Sequence, residues 1–466
     1  MTQKRAIFVS VAAIITLAMP FAAVAADWPM YLYTPAHSSY PVTETQIGPA
    51  NVASLQPAWT YQAHALGGAP TVVGGAIYFG DWSGDFQAIR ASDGSLIWKQ
   101  YAGIAAPPAD PLCEPPIGVT GQSVIQNGIV YVPGGDSAVY SFDQKSGAQL
   151  ARLQLADPAA GSYLWSSLTL VNNSLYLGIA SLEDCPVVRG ALVRIDLANP
   201  KNPVIKYVMP ADDIGAGIWS TPAVDAQTNT VYATTGNGPQ EPSTGRFGSA
   251  FMSFDAQTLD IKDYFFMQVA DFANAGDSDI DFGSSATLFQ ADDGTPLAAA
   301  TGKDGQLYAL RRSDMTLAWQ AYLAVGCDNP QAGCGSLSTP AWDGRNLYVG
   351  AGVPDAAGFD LGSVYAFRAN GDHVWFRSLP STVLAPVTVV NGLVFVSTLS
   401  GLMALDASTG EPLWDDGGAG TLYSQPVVAN GTVYAAYANG TLTAYRLGDA
   451  GQGGPPAHKQ PPNPHR

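Results

Sequence analysis

One unit recurs along this chain. It is a short apolar strand bearing Tyr or Phe, a Gly-containing turn, a second strand, then Asp, Gly and often Trp. The clearest copy is GLVFVSTLSGLMALDASTGEPLW at 392–414. Others are AIYFGDWSGDFQAIRASDGSLIW at 76–98, GIVYVPGGDSAVYSFDQKSGAQL at 128–150 and PLAAATGKDGQLYALRRSDMTLAW at 296–319. Degenerate copies begin near Ser174, Thr230 and Arg345. The last copy, GTVYAAYANGTLTAYRL from Gly431, lacks its final Trp, and LQPAWTYQ around Trp59 has the form of that missing strand, which makes eight copies. A period of this length marks a repeat architecture. Apolar–polar alternation reads as half-buried strands, and Asp-Gly and Ser-Gly pairs read as hairpin turns. A four-stranded unit cannot bury both faces alone; stacking around an axis buries them and protects most edges. The repeats therefore predict an all-β, eight-bladed β-propeller over 27–447, closed by the strand at Trp59. The recurring Trp98, Trp319, Trp375 and Trp414 are expected to pack between blades, each covering roughly 150–250 Å².

The ends of the chain differ from this middle. Lys4 and Arg5 precede an apolar run, 6–23, which ends in Ala23-Val24-Ala25. That is the layout of a secretory signal peptide over 1–26. An uncleaved anchor is the competing reading, because the run is almost long enough to span a bilayer. Cleavage is favoured by Pro20 and the small-residue end, giving a periplasmic or secreted protein with no later membrane span. The tail at 448–466, rich in Gly, Pro and polar residues, is expected to be disordered. A net charge of −17 with only 21 basic residues argues against nucleic acid as a partner. Four cysteines in an oxidising compartment allow three pairings. Cys327 and Cys334 bracket a short loop and are expected to pair, leaving Cys113 to pair with Cys185. No Cys-x-x-Cys-His occurs, so no c-type haem is attached.

The repeat resembles that of pyrroloquinoline-quinone (PQQ) propellers, and the opening DWPMYLYTPAHSSY is similar to the mature start of proteins in that group. Many such propellers are scaffolds, so function has to be argued from a site. Four segments exceed the bare repeat. GAGIWSTPAVDAQTNTVYATTGNGP at 215–239 is similar to a stretch of quinoprotein alcohol dehydrogenases. The resemblance makes Trp219 the floor under the cofactor and Asn237 a metal ligand. GIASLEDCPVVRGALVRID at 178–196 resembles the segment in which a Glu before Arg-Gly ligates the metal. Glu183 is then the ligand, with Asp184 its rival, and Ser181 and Arg189 contact the cofactor. GDSDIDFGSS at 276–285 resembles the catalytic-acid stretch, and matches best the form found in polyvinyl-alcohol dehydrogenases. It offers Asp279 as general base and metal ligand, and Asp281 as a second metal acid. TGKDGQLYAL at 301–310 places Lys303 where the family has a base facing the quinone oxygens.

What the resemblance implies is an enzyme that oxidises an alcohol with PQQ and Ca²⁺ or a lanthanide. Electrons would pass to a separate acceptor of the cytochrome c kind. All the proposed ligands are oxygen donors, as a hard cation requires. Two family features are missing: a vicinal Cys-Cys pair, and an Arg for a PQQ carboxylate, whose region at 109–122 is acidic and Pro-rich. The short chain implies reduced covering loops and a mouth open to a large or polymeric alcohol. A non-catalytic propeller that binds protein or polysaccharide is the alternative. His37, His64, His373, His458 and His465 fall in no recognisable metal cluster.

Overall fold

The computed structural model describes residues 27–107, 113, 116–267, 279–354 and 361–448. The signal-peptide segment and nearly all of the proposed tail lie outside them. Eight antiparallel sheets follow one another as blades, seven of four strands and one, the third, with a short fifth strand; a two-stranded ribbon is added at 240–247. Helical structure among the described residues is limited to single 3-10 turns. The second strands of the blades run Ala76–Gly80, Ile129–Pro133, Ser174–Ser181, Thr230–Thr234, Pro296–Thr301, Asn346–Ala351, Leu393–Ser397 and Thr432–Ala436. We number the blades 1 to 8 in that order. The early strand Leu55–Gln62 pairs with Thr441–Leu447 and completes blade 8, with Trp59 opposite Ala444. The ring is closed by sequence-distant partners, as the repeat pattern predicts.

Burial departs from simple alternation. Leu393–Ser397 and Thr432–Ala436 are buried at every position, whereas the outer strand Pro412–Asp415 is not. A middle strand has a neighbouring blade on both faces, so both of its faces are dry. Alternation survives on outer strands such as Leu317–Tyr322, with exposed and half-covered positions.

The tryptophans explain how blades dock. The indole N–H of Trp98 donates to the Gln144 carbonyl at 3.0 Å, and that of Trp375 to the Ala407 carbonyl at 2.9 Å. Trp59, Trp319 and Trp414 do the same toward Ala91, Ala369 and Leu55. Each ring thus buries its apolar body while its one polar atom is satisfied.

The segment between Trp28 and the first full strand crosses the channel. Trp28 bridges Val72 of blade 1. The backbone carbonyls of Pro35, Ala36, Ser38 and Ser39 then accept from Val224, Leu288, Trp342 and Val389, the innermost strands of blades 4 to 7. This strap closes one end of the ring and leaves the other as a funnel.

Candidate active site

The funnel holds a cavity of about 360 Å³ lined by Trp82, Trp165, Trp219, Glu183, Tyr31 and Tyr423, among others. Its floor is a row of hydroxyls. Gln122 N–H donates to Ser167 Oγ, Ser167 N–H to Thr221 Oγ1, Thr221 N–H to Ser285 Oγ and Ser285 N–H to Thr339 Oγ1, at 2.9–3.0 Å. From blade 2 to blade 6, each blade start is thus tied to the next through one side-chain oxygen. Tyr31 of the strap sits beneath, its hydroxyl 3.3 Å from Thr339 Oγ1.

Trp219 is fixed by its neighbours in sequence. Ile218 N–H donates to the Ile179 carbonyl, and Ser220 Oγ to that of Thr234. The following Gly236-Asn237-Gly238 has a steric reason. A Cβ at Gly236 would lie 3.1 Å from Asp281 Oδ2. The Asn237 N–H donates to that same oxygen at 3.0 Å.

Asp281 is carried by the strand-like stretch that enters blade 5. Phe282 bridges Gly302, and Lys303 N–H donates to the Asp281 carbonyl at 2.9 Å. The backbone therefore places Lys303 beside both acids. Its ammonium donates to Asp279 Oδ2 at 2.7 Å and lies 3.1 Å from Asp281 Oδ1. It also sits 5.7 Å from the centre of the Trp219 ring, within cation–π range. Asp281 Oδ1 is buried and, despite that short ion-pair distance, receives no aligned hydrogen bond.

The two acids are not equivalent. The Asp279 side chain is 43% exposed and that of Asp281 only 3%. Burial pushes the Asp281 carboxyl up to about 7 against the pull of Lys303, with the charge of Asp279 adding to the rise. Burial alone would lower Lys303, but Asp281 and Asp279 together outweigh it and hold the ammonium above its usual range. Asp184 is raised too, by desolvation and then by the charge of Asp279.

Glu183 and Asp184 share a turn in which both residues have positive φ, 51° and 52°. Glu183 lines the cavity with Trp219. Its charge acts on Tyr163, and that of Asp279 acts on Asp184, which Lys303 pulls the other way. Ser181 Oγ accepts from Val188 N–H, within its own loop. Arg189 donates to the Met209 carbonyl and stacks 3.7 Å from the Tyr207 ring centre. Both are committed to holding the loop rather than presented to the cavity. The disulfides are Cys113–Cys185 and Cys327–Cys334, as expected. Trp82, Trp165 and the hydroxyl row escaped the sequence reading. The repeated Ser-Thr-Pro at 220–222 and 338–340 was the signal for the row.

Asp281 Oδ1, ion-paired with Lys303 but without an aligned hydrogen bond, and the Asn237 side-chain amide are oxygen donors that suit a hard cation. Among the described residues, however, no three His, Cys, Asp or Glu side chains form a metal-holding group. The half-buried Trp219 face, with Lys303 above it, suits a planar anion.

A family model described as outer membrane protein assembly factor BamB (PQQ_2) matches residues 51–258 and 360–452. The chain belongs to this PQQ-repeat family. The unmatched 259–359 includes Asp279, Asp281, Lys303 and the Cys327–Cys334 loop. Curated relatives are a polyvinylalcohol dehydrogenase of Pseudomonas sp, 24% identical over 83% of this chain and 69% of its own, and one of Sphingopyxis sp. (strain 113P3), 23% identical over 78% and 63%. The chain thus spans about two thirds of their length. A europium-containing methanol dehydrogenase superposes with a TM-score of 0.71 at 16% identity, covering 91% of this chain and 98% of that one. The quinohemoprotein alcohol dehydrogenase from Comamonas testosteroni gives 0.72 at 17%, covering 92% and 82%. These structures share the propeller fold.

Proposed function

We propose that this protein is an exported quinoprotein oxidoreductase that oxidises an alcohol with PQQ and Ca²⁺ or a lanthanide ion, in the periplasm or outside the cell. The observation that carries the reading is the convergence of Asp279, Asp281 and Lys303 beside Trp219 at one mouth of the ring. Likeness to two polyvinylalcohol dehydrogenases supports an alcohol, and a large or polymeric one suits an open funnel. The europium in a similar structure keeps a lanthanide beside calcium. A separate acceptor, of the cytochrome c kind, would take the electrons, since no haem motif is present.

When bound, PQQ with its cation supplies the two-electron acceptor and the Lewis acid. The chain's own residues do the rest. Trp219 offers a flat apolar face for stacking. The Lys303 ammonium, held charged by two acids, would stabilise negative charge developing above that ring. Asp279, exposed enough to meet a substrate, would accept the hydroxyl proton as general base. Asp281 is too buried for that task; it and Asn237 would hold the cation, with Glu183 or Asp184 from the opposite loop. Ser181 and Arg189 are assigned to shaping that loop around the cofactor.

The test is reconstitution with PQQ and either Ca²⁺ or La³⁺, followed by alcohol-dependent dye reduction. Activity that Asp279→Ala abolishes in a folded protein supports the reading. Wild-type activity in that variant overturns the assignment of the base. No PQQ binding under any metal returns the protein to the scaffold reading.

A further inference from the structure

The Cys327–Cys334 loop lies against the backbone of Lys303, and its contacts are unusually specific. Cys327 N–H donates to the Lys303 carbonyl at 2.9 Å, and Ser336 N–H donates to the Gly302 carbonyl at 3.1 Å. Gly335, one residue past the disulfide, has φ +57°, and a Cβ there would sit 2.7 Å from the Lys303 carbonyl oxygen. Gly335 N–H closes the loop onto the Val325 carbonyl at 2.7 Å. On its other side the same backbone is held by the acid stretch, through Lys303 N–H to the Asp281 carbonyl and Gly283 N–H to the Thr301 carbonyl. Lys303 is thus gripped between the stretch that carries its acids and a loop stapled by a disulfide.

We propose that the Cys327–Cys334 disulfide, with Gly335, is a positioning device that fixes the Lys303 ammonium on Asp279 and Asp281 above Trp219. A lysine carries a long, rotamer-rich side chain, and ordering it is entropically costly. Gripping the backbone from both sides limits where the ammonium can go, so the side chain loses less freedom in reaching its acids. The loop also brings Gln331 and Leu337 to the cavity wall, so one staple shapes the wall and aims the charge. The importance of Lys303 to turnover rests on the proposed function; its placement by the loop does not.

The experiment is competitive lysine acetylation of the cofactor-free protein, read by mass spectrometry, with exposed Lys99 and Lys262 as internal references. In the wild type Lys303, whose side chain is 10% exposed, should react far more slowly than the references. Cys327→Ser/Cys334→Ser should raise its relative rate severalfold, with circular dichroism showing an intact propeller. Gly335→Ala keeps the disulfide and pushes on the Lys303 carbonyl directly, and it should raise the rate as well. Equal protection of Lys303 in wild type and Gly335→Ala, and in the double Ser variant if that folds, overturns the proposal. Because the measurement uses no quinone, a failure to bind PQQ would leave it standing, and its own failure would leave the redox reading untouched.

Discussion

Five blade interfaces are closed by a docked tryptophan, and three are not. Trp59, Trp98, Trp319, Trp375 and Trp414 seal the junctions from blade 5 round through 8 to 2. The junctions between blades 2 and 3, 3 and 4, and 4 and 5 use other devices. Tyr176 donates to the Ala256 carbonyl between blades 3 and 4, and Arg312 pairs with Asp225 between 4 and 5. That same arc supplies Glu183, Trp219, Asn237 and Asp281. There Trp165 and Trp219 face the cavity instead of a neighbouring blade. The contrast shows one residue type doing two jobs. Where the glue is replaced by polar bonds and Tyr, the loops carry the chemistry, and the Cys113–Cys185 disulfide ties the blade 3 loop to the connection between blades 1 and 2.

The largest expected effect tests the chemical arc. Asp279→Asn in the cofactor-loaded protein should lower turnover by about 10²–10⁴ with the fold unchanged, the usual loss for a general base; steady-state dye reduction checks it. In the glued arc, Trp375→Ala should cost about 3–5 kcal/mol in chemical denaturation, as buried Trp truncations do. The same change at Trp219, half-buried in the cavity wall, should cost clearly less, and equal losses would erase the distinction between the two arcs.

The strap spans both arcs, and His37 tests it by pH. His37 is fully buried, and burial lowers it from 6.5 to about 4, partly opposed by its bond to the Ala286 carbonyl. The unfolded chain binds this proton below 6.5, the folded one only below about 4. Stability is therefore whole above the unfolded value and falls as pH drops between the two, by about 3 kcal/mol in all. His37→Gln should flatten that slope in denaturation curves taken across the window. The smallest effect belongs to the hydroxyl row. Thr221→Val leaves the buried Ser167 N–H without its acceptor and should cost about 1–3 kcal/mol, read as a fall in the denaturation midpoint.

The repeat determined the ring: strand order, blade count and closure by the segment at Trp59 follow from local patterning, because each blade repeats the same turn chemistry and the same need for covered faces. Cysteine spacing likewise determined the two pairings. The motif at 279–283 named both acids, and the family resemblance gave Asp279 the base role, but the residues alone could not say which is exposed, since residues two apart share a direction while their exposure depends on what packs over them. Only the tertiary structure decided that Asp279 meets solvent and Asp281 does not, that Asp184 lies within the field of Asp279 and Lys303, and that Arg189 stacks on Tyr207. Those outcomes depend on distances between blades that are remote in sequence, and on burial, which no local pattern encodes.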